Sequence, residues 1–146
     1  MRSATYPRAV DGAPHFIYSA EEMAGVALLG QFEQAVLAAI LALRDQAYGV
    51  RVHAKVEELV RPKKVSLGAV YITLDRLEEK DWVSSWLADP TPERGGRAKR
   101  YFRVEPPGRH ALEESVIAAR RVWDTVTDAL GKDFERQLEN REARAR

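Results

Sequence analysis

Cysteine is absent from the 146 residues, which excludes disulfides, thiolate nucleophiles and cysteine-held zinc. Histidine is scarce. His15, His53 and His110 are scattered and form no cluster with acids at ligand spacing, so no metal is expected. Neither a nucleophile elbow nor a phosphate-cradling loop with its lysine is present, so an enzyme is not expected and no cofactor is implied. No apolar run is long enough to span a bilayer. No apolar core follows Arg2 and Arg8, as a signal peptide would require, so the expected location is cytoplasmic, away from membranes. Excess charge is lacking too. The formal net charge is +1, so any case for a nucleic-acid partner has to rest on where the charges lie. What remains, 45% apolar and 31% charged residues, suits one globular domain or a small domain with an oligomerisation arm.

Residues 1–28 hold Pro7, Gly12 and Pro14 and little periodicity, and read as an N-terminal arm. Ser19 and Glu22 have capping-box spacing, so a short helix is one option there. The arm is either disordered or packs Phe16, Ile17 and Tyr18 on a partner subunit. A helix is expected over about 31–44, with Phe32, Val36, Ala39, Ile40 and Leu43 on one buried stripe. A second is expected over about 48–60, with Val52, Val56, Leu59 and Val60 inward and Pro62 ending it. Ser66 is a good N-cap for a third, over 66–79, whose buried stripe is Val70, Leu74 and Leu77.

Strands follow at 83–87 and 100–104, the second placing Phe102 and Val104 on one face and Tyr101 and Arg103 on the other. Between them, Asp89-Pro90-Thr91-Pro92 breaks the chain and Gly95-Gly96 gives turn freedom. The last helix is expected from about Arg109 to Ala143, with a kink or break allowed at Gly131. Leu112, Val116, Ala119, Trp123, Val126 and Leu130 alternate steps of four and three, the heptad stripe of a coiled-coil-like surface that favours a dimer interface over a helix folded back on its own domain. The fold class is mainly α with a small β-hairpin: a winged helix-turn-helix over 29–105, then a C-terminal dimerisation helix and charged tail over 106–146.

This order points to double-stranded DNA. On the third helix Gly68, Ala69, Ile72, Thr73 and Arg76 are expected to face away from the stripe. Small residues permit close approach, Thr73 can bond a base or phosphate, and Ile72 can touch a thymine methyl. Arg76 either contacts a base or pairs with a neighbouring acid. Tyr71 stands at the stripe's edge, ring inward and hydroxyl toward phosphate. Lys63 and Lys64 add positive charge at the helix N-terminus. The basic wing over 89–100 carries Arg94, Arg97 and Lys99, and Gly95 and Gly96 keep its tip slim enough to meet the backbone. A different class also fits the pattern: a winged-helix protein-interaction adaptor that binds no DNA.

Four segments carry a resemblance. Leu29-Gly30-Gln31-Phe32-Glu33, Ala47-Tyr48-Gly49, Gly68-Ala69-Val70-Tyr71-Ile72-Thr73-Leu74-Asp75-Arg76-Leu77-Glu78 and Pro92-Glu93-Arg94-Gly95-Gly96-Arg97-Ala98-Lys99-Arg100-Tyr101 occur in an order that resembles the PadR family of bacterial transcriptional regulators. The resemblance spans about residues 29–112. It implies a winged-helix DNA-binding domain, a C-terminal dimerisation helix and a repressor role. It also implies that Tyr48, Ser66, Tyr71, Thr73 and Arg97 lie near DNA. Members of the family often respond to an aromatic or lipophilic small-molecule effector. The chain departs from the family pattern at Asp81, where glycine is usual, and at Pro106, where a threonine-like cap is usual. Trp123 stands about one turn later than the tryptophan that some members use to hold aromatic ligands.

Overall fold

The computed structural model describes residues 29–88 and 98–146. The expectations for the arm and for Arg94, Gly95, Gly96 and Arg97 at the wing tip lie outside the described residues. Helix α1 is Gln31–Leu43, followed by a single 3₁₀ turn at Arg44–Gln46. Then come α2 (Gly49–Leu59), α3 (Leu67–Glu79), β1 (Val83–Leu87), β2 (Arg100–Val104), α4 (Pro106–Leu130) and α5 (Lys132–Ala145). Five helices and one antiparallel hairpin make the described residues mainly helical.

Helix α1 is the hub. It touches α2, α3, α4 and β2, and buries Ala35, Val36, Leu37, Ala39 and Ile40. Leu37 lies off the expected stripe. It is buried because a helix packed on several sides hides more than one narrow arc. Helix α2 buries Val52 and Val56, but Leu59 in its last turn is exposed, against expectation.

Ser66 caps α3 as expected, its Oγ accepting from the Ala69 amide at 3.1 Å. The hairpin register pairs Val83 with Val104 and Ser85 with Phe102, so Val83 and Phe102 fall on the core face. Pairing runs one step beyond the strands, with Ala88 N–H donating to the Lys99 carbonyl. On the other edge of β2, Phe102 N–H donates to Ala47 and Tyr48 forms a bridge with Tyr101. The link before α2 is thus stitched to the wing.

Helix α4 begins at Pro106, three residues earlier than the sequence suggested. Proline at the first helical position has no amide to leave unpaired and its φ already fits a helix. The Trp82 carbonyl accepts from the Glu105 amide, tying the entry of α4 to the start of β1. Gly131, at φ 77°, separates α4 from α5, so the break allowed there is realised. No helix among the described residues is long and apolar enough to cross a membrane.

Candidate nucleic-acid interface

The start of α3 is set from α2. With its proton on Nε2, His53 donates to the Val65 carbonyl at 2.7 Å, and Glu57 lies 2.9 Å from the same nitrogen. Glu57 also reaches Lys64 at 3.6 Å, although the Lys64 side chain is 91% exposed. Lys63 makes no ion pair with a described residue. The N-terminus of α3 therefore emerges beside two lysines that stand in solvent. Ser66 keeps its own O–H to donate outward, because capping uses only its oxygen as acceptor.

Along α3 the exposed side carries Leu67, Gly68, Ile72 and Arg76. Ala69 is half-buried. A Cβ built on Gly68 meets nothing within 4 Å, so the described residues give no packing reason for glycine there. Arg76 makes no ion pair with a described residue, although acids flank it. Thr73 requires a correction: it is 7% exposed and lies inside. On a helix it stands only about 60° from the Val70–Leu74–Leu77 stripe. Contacts with α1, α2 and β1 widen the buried arc enough to cover it.

Tyr71 is half-buried. Its ring meets Phe102 edge-on at 6.5 Å, and its hydroxyl rests on the first residue of α2. A Cβ at Gly49 would stand 1.8 Å from that oxygen, so glycine is needed there for close approach. The Tyr71 hydroxyl is thereby placed at the N-terminus of α2. Tyr48 is the N-cap residue of α2, without a side-chain cap bond. The Lys99 ammonium sits 3.5 Å from the Tyr48 ring centroid, and the Arg51 guanidinium lies 6.0 Å from it. Tyr101 meets Tyr48 edge-on at 5.6 Å. Tyr48, Tyr71 and Lys99, read separately from the sequence, thus converge on one helix end with positive character. Arg51 and Gly49 belong to this cluster. The Ala47-Tyr48-Gly49 segment was the sequence signal for them.

Arg100 does not act as a free wing cation. Its Nε donates to Ser85 at 3.0 Å, one Nη donates to Asp75 at 3.2 Å, and the other donates to Glu78. Ser85 donates to Glu78 at 2.7 Å. This latch fixes the angle between the wing and α3. It also neutralises two acids on α3, and Arg76, the one cation of that helix, has no ion pair with a described residue. The Ser85 hydroxyl, with Arg100 beside it, holds the Glu78 carboxyl below the usual carboxylate range.

A group whose pKa is lowered by folding stabilises the fold above its ordinary value and loses that contribution as pH falls through the folded value. Arg100→Met should therefore lower the melting temperature near neutrality and lose that effect in acid, once Glu78 is protonated. The loss should be about 1 kcal/mol or less, because these side chains are a third or more exposed. Melting curves of both proteins across pH test this. An equal gap at every pH would mean that the latch carries no electrostatic weight.

The stripe expected to join two copies divides. Leu112 is half-buried against its own core, so the exposed stripe begins at Val116. Val116, Ala119, Trp123 and Leu130 are exposed, and Val126 is half-buried. Ile117 and Val122 extend the exposed apolar surface, although neither lies on the heptad positions. No cluster among the described residues is suited to hold a metal ion.

The family model described as the transcriptional regulator PadR-like family matches residues 36–114. The fold is similar to a PadR family transcription regulator from Clostridium difficile, at 22% identity and TM-score 0.57, over 70% of this chain and 100% of that one. It is similar to a PadR-like transcription factor from Bacteroides fragilis, at 24% identity and TM-score 0.54, over 68% and 90%. It is also similar to the PcaV transcriptional regulator from Streptomyces coelicolor, solved with its natural ligand, at 15% identity and TM-score 0.60, over 80% and 74%. None of the curated proteins is similar enough in sequence to count as a relative.

Proposed function

The chain belongs to the PadR-like family of transcriptional regulators, and from that premise we propose that it is a homodimeric repressor reading a palindromic operator. The family is one of DNA-binding regulators, not enzymes. In this reading residues 29–105 form the DNA-binding domain and 106–146 the dimerisation arm, and the protein acts in the cytoplasm, where its operator is. Helix α3 enters the major groove with Gly68, Ala69, Ile72 and Arg76 toward the bases. Lys63, Lys64 and Ser66 meet phosphate at its N-terminus. Tyr48, Tyr71 and Lys99 meet a second phosphate at the start of α2. Arg94, Gly95, Gly96 and Arg97 carry the wing over the flanking backbone. Thr73 is left out of the contact set because it is buried. Two copies joined through Val116, Ala119, Trp123, Val126 and Leu130 set the half-site spacing. A small aromatic or lipophilic compound releases the operator. Support for an effector comes from the ligand-bound PcaV, which shares the fold.

The observation that carries this reading is the exposed face of α3, where no described residue covers Gly68 and no described acid pairs with Arg76. Gly68→Val is the sharp test. Inside the chain the new side chain meets open space, so stability should hold within about 1 kcal/mol. Against a groove it collides with the bases, and operator affinity should fall by about tenfold or more. Unchanged affinity would place the groove-facing surface elsewhere.

The wing has a different signature. Arg97→Ala combined with Lys99→Ala should weaken binding to all sequences alike and flatten the salt slope by about two. Fluorescence titrations at several salt concentrations read both effects. A slope identical to that of the parent protein would remove these two residues from the phosphate contacts.

A further inference from the structure

At the turn from α2 into α3 one carboxylate has two claimants. Glu57 offers one oxygen to His53, 2.9 Å from Nε2, and the other to Lys64, 3.6 Å from Nζ. The same His53 nitrogen lies 2.7 Å from the Val65 carbonyl, so its single proton faces two acceptors. Val65 precedes Ser66, the N-cap of α3, and the bond to its carbonyl therefore helps to set where the first amides of α3 point. The imidazole and the carboxylate are partly buried, with side chains 23% and 28% exposed, whereas the lysine stands in solvent. Among the described residues, the other charged groups lining the cleft beside His53 are Glu58, Arg61 and Lys63, and the nearby end of α5 contributes Ala145. Glu58 is taken by Lys55 at 3.1 Å, and neither Arg61 nor Lys63 has an ion pair with a described residue.

Glu57 cannot serve both partners fully. With His53 neutral, the Nε2 proton goes to Val65 at the shorter distance, and Lys64 is the cation that Glu57 holds. With His53 protonated, Glu57 faces an imidazolium that is closer than the ammonium and better shielded from water, and the nearer charge dominates. Lys64 is then released. The exchange also runs from the DNA side. A phosphate that takes Lys64 leaves Glu57 with His53 alone, and an unneutralised carboxylate at 2.9 Å favours the imidazolium. Val65 keeps its bond throughout, since Nε2 carries a proton in both states.

We propose that His53 is a positioning residue for the phosphate contact at the start of α3, and that duplex DNA is bound there with uptake of a proton on His53. The placing of Lys64 against phosphate rests on the repressor reading given above; the sharing of Glu57 does not. The sign follows from linkage. A ligand that favours the protonated state binds more tightly where protons are abundant, so affinity rises as pH falls through the histidine range and levels off on either side. The size is that of a partly exposed ion pair, about threefold between pH 6 and pH 8.

The test uses the full chain and a mixed-sequence duplex of about 20 base pairs at low salt, where phosphate contacts dominate and no operator need be known. Anisotropy titrations at the two pH values should show the threefold ratio in the parent protein. His53→Gln should bind equally at both, because its amide can still donate to Val65 but cannot titrate. Glu57→Gln should also flatten the ratio, while raising affinity at the higher pH above that of the parent, since phosphate no longer has a rival for Lys64. Lys64→Met should flatten it too, and lower the salt slope by about one. None of the three side chains is fully buried, so melting curves should show the variants folded. A ratio that persists in any variant would overturn the assignment: in His53→Gln because another group titrates, in Glu57→Gln or Lys64→Met because His53 senses phosphate without the shared carboxylate. Tight binding with no pH dependence in the parent would overturn the proton uptake and leave the DNA-binding reading standing. No duplex binding at either pH would overturn that reading, and the inference with it.

Discussion

Trp123→Arg should yield a folded monomer that has lost its operator. In a single chain the Trp123 side chain is 46% exposed, so arginine at this position meets no internal cost. In the proposed dimer it lies in the middle of an apolar seam formed by Val116, Ala119, Val126 and Leu130 on the 25-residue helix α4. A charge there has no partner, and burying it costs several kcal/mol. At micromolar concentration that is enough to dissociate the pair. One recognition helix then has to bind without its twin, and affinity should drop by about a hundredfold or more, as expected when a linked second site is lost. Sedimentation gives the mass and anisotropy gives the affinity. A variant that still sediments as a dimer would move the interface off the α4 stripe.

Gly108→Ala should be strongly damaging for a change of a single methyl group. Gly108 sits in the first turn of α4, where the helix crosses the chain at Trp82. A Cβ there would lie 2.4 Å from the Trp82 carbonyl oxygen and 2.9 Å from the Trp82 Cβ. Both atoms are held. The same carbonyl already accepts from the Glu105 amide, and Val83, the next residue, is buried. The helix has to shift as a body, which is overpacking with no soft side chain to absorb it. About 2–3 kcal/mol should be lost, or about 5–10 °C of melting temperature for a chain of this size. Gly68→Ala is the matched control. The same methyl meets open space there, and the melting temperature should hold or rise slightly, since alanine favours helix over glycine. Equal melting temperatures for both variants would mean that the α4 crossing is looser than its geometry implies.

The contrast between these glycines shows where a sequence can be read and where it cannot. The strands at Val83–Leu87 and Arg100–Val104 follow from alternation and turn residues alone, because half-buried strands carry a period of two. The Ser66 cap and the break at Gly131 are local chemistry, and both are realised. Thr73 and Leu37 went the other way. A stripe of three or four residues marks the centre of a buried face, but its width depends on how many neighbours the helix has. Helices α1 and α3 are each covered from several sides, and the residues flanking their stripes are hidden too.

Arg100 was equally illegible. Along the chain it is one more cation in a basic run. Its partners, Asp75 and Glu78, are 25 and 22 residues away, and only the packing of wing against α3 brings them together. The DNA-facing cluster was legible residue by residue, as Tyr48, Tyr71 and Lys99. Its convergence on the start of α2 was not, because it depends on a glycine that lets a tyrosine hydroxyl rest against the backbone.

The central claim is that this surface reads DNA in a sequence-specific way. The direct measurement is fluorescence anisotropy of the full chain with duplex from the region upstream of its own gene, at about 150 mM salt, against scrambled competitor duplex. The account predicts saturable binding that an equal amount of scrambled duplex does not remove. Absence of binding even at low salt, where phosphate contacts are strongest, would contradict it and favour a winged-helix module that binds protein.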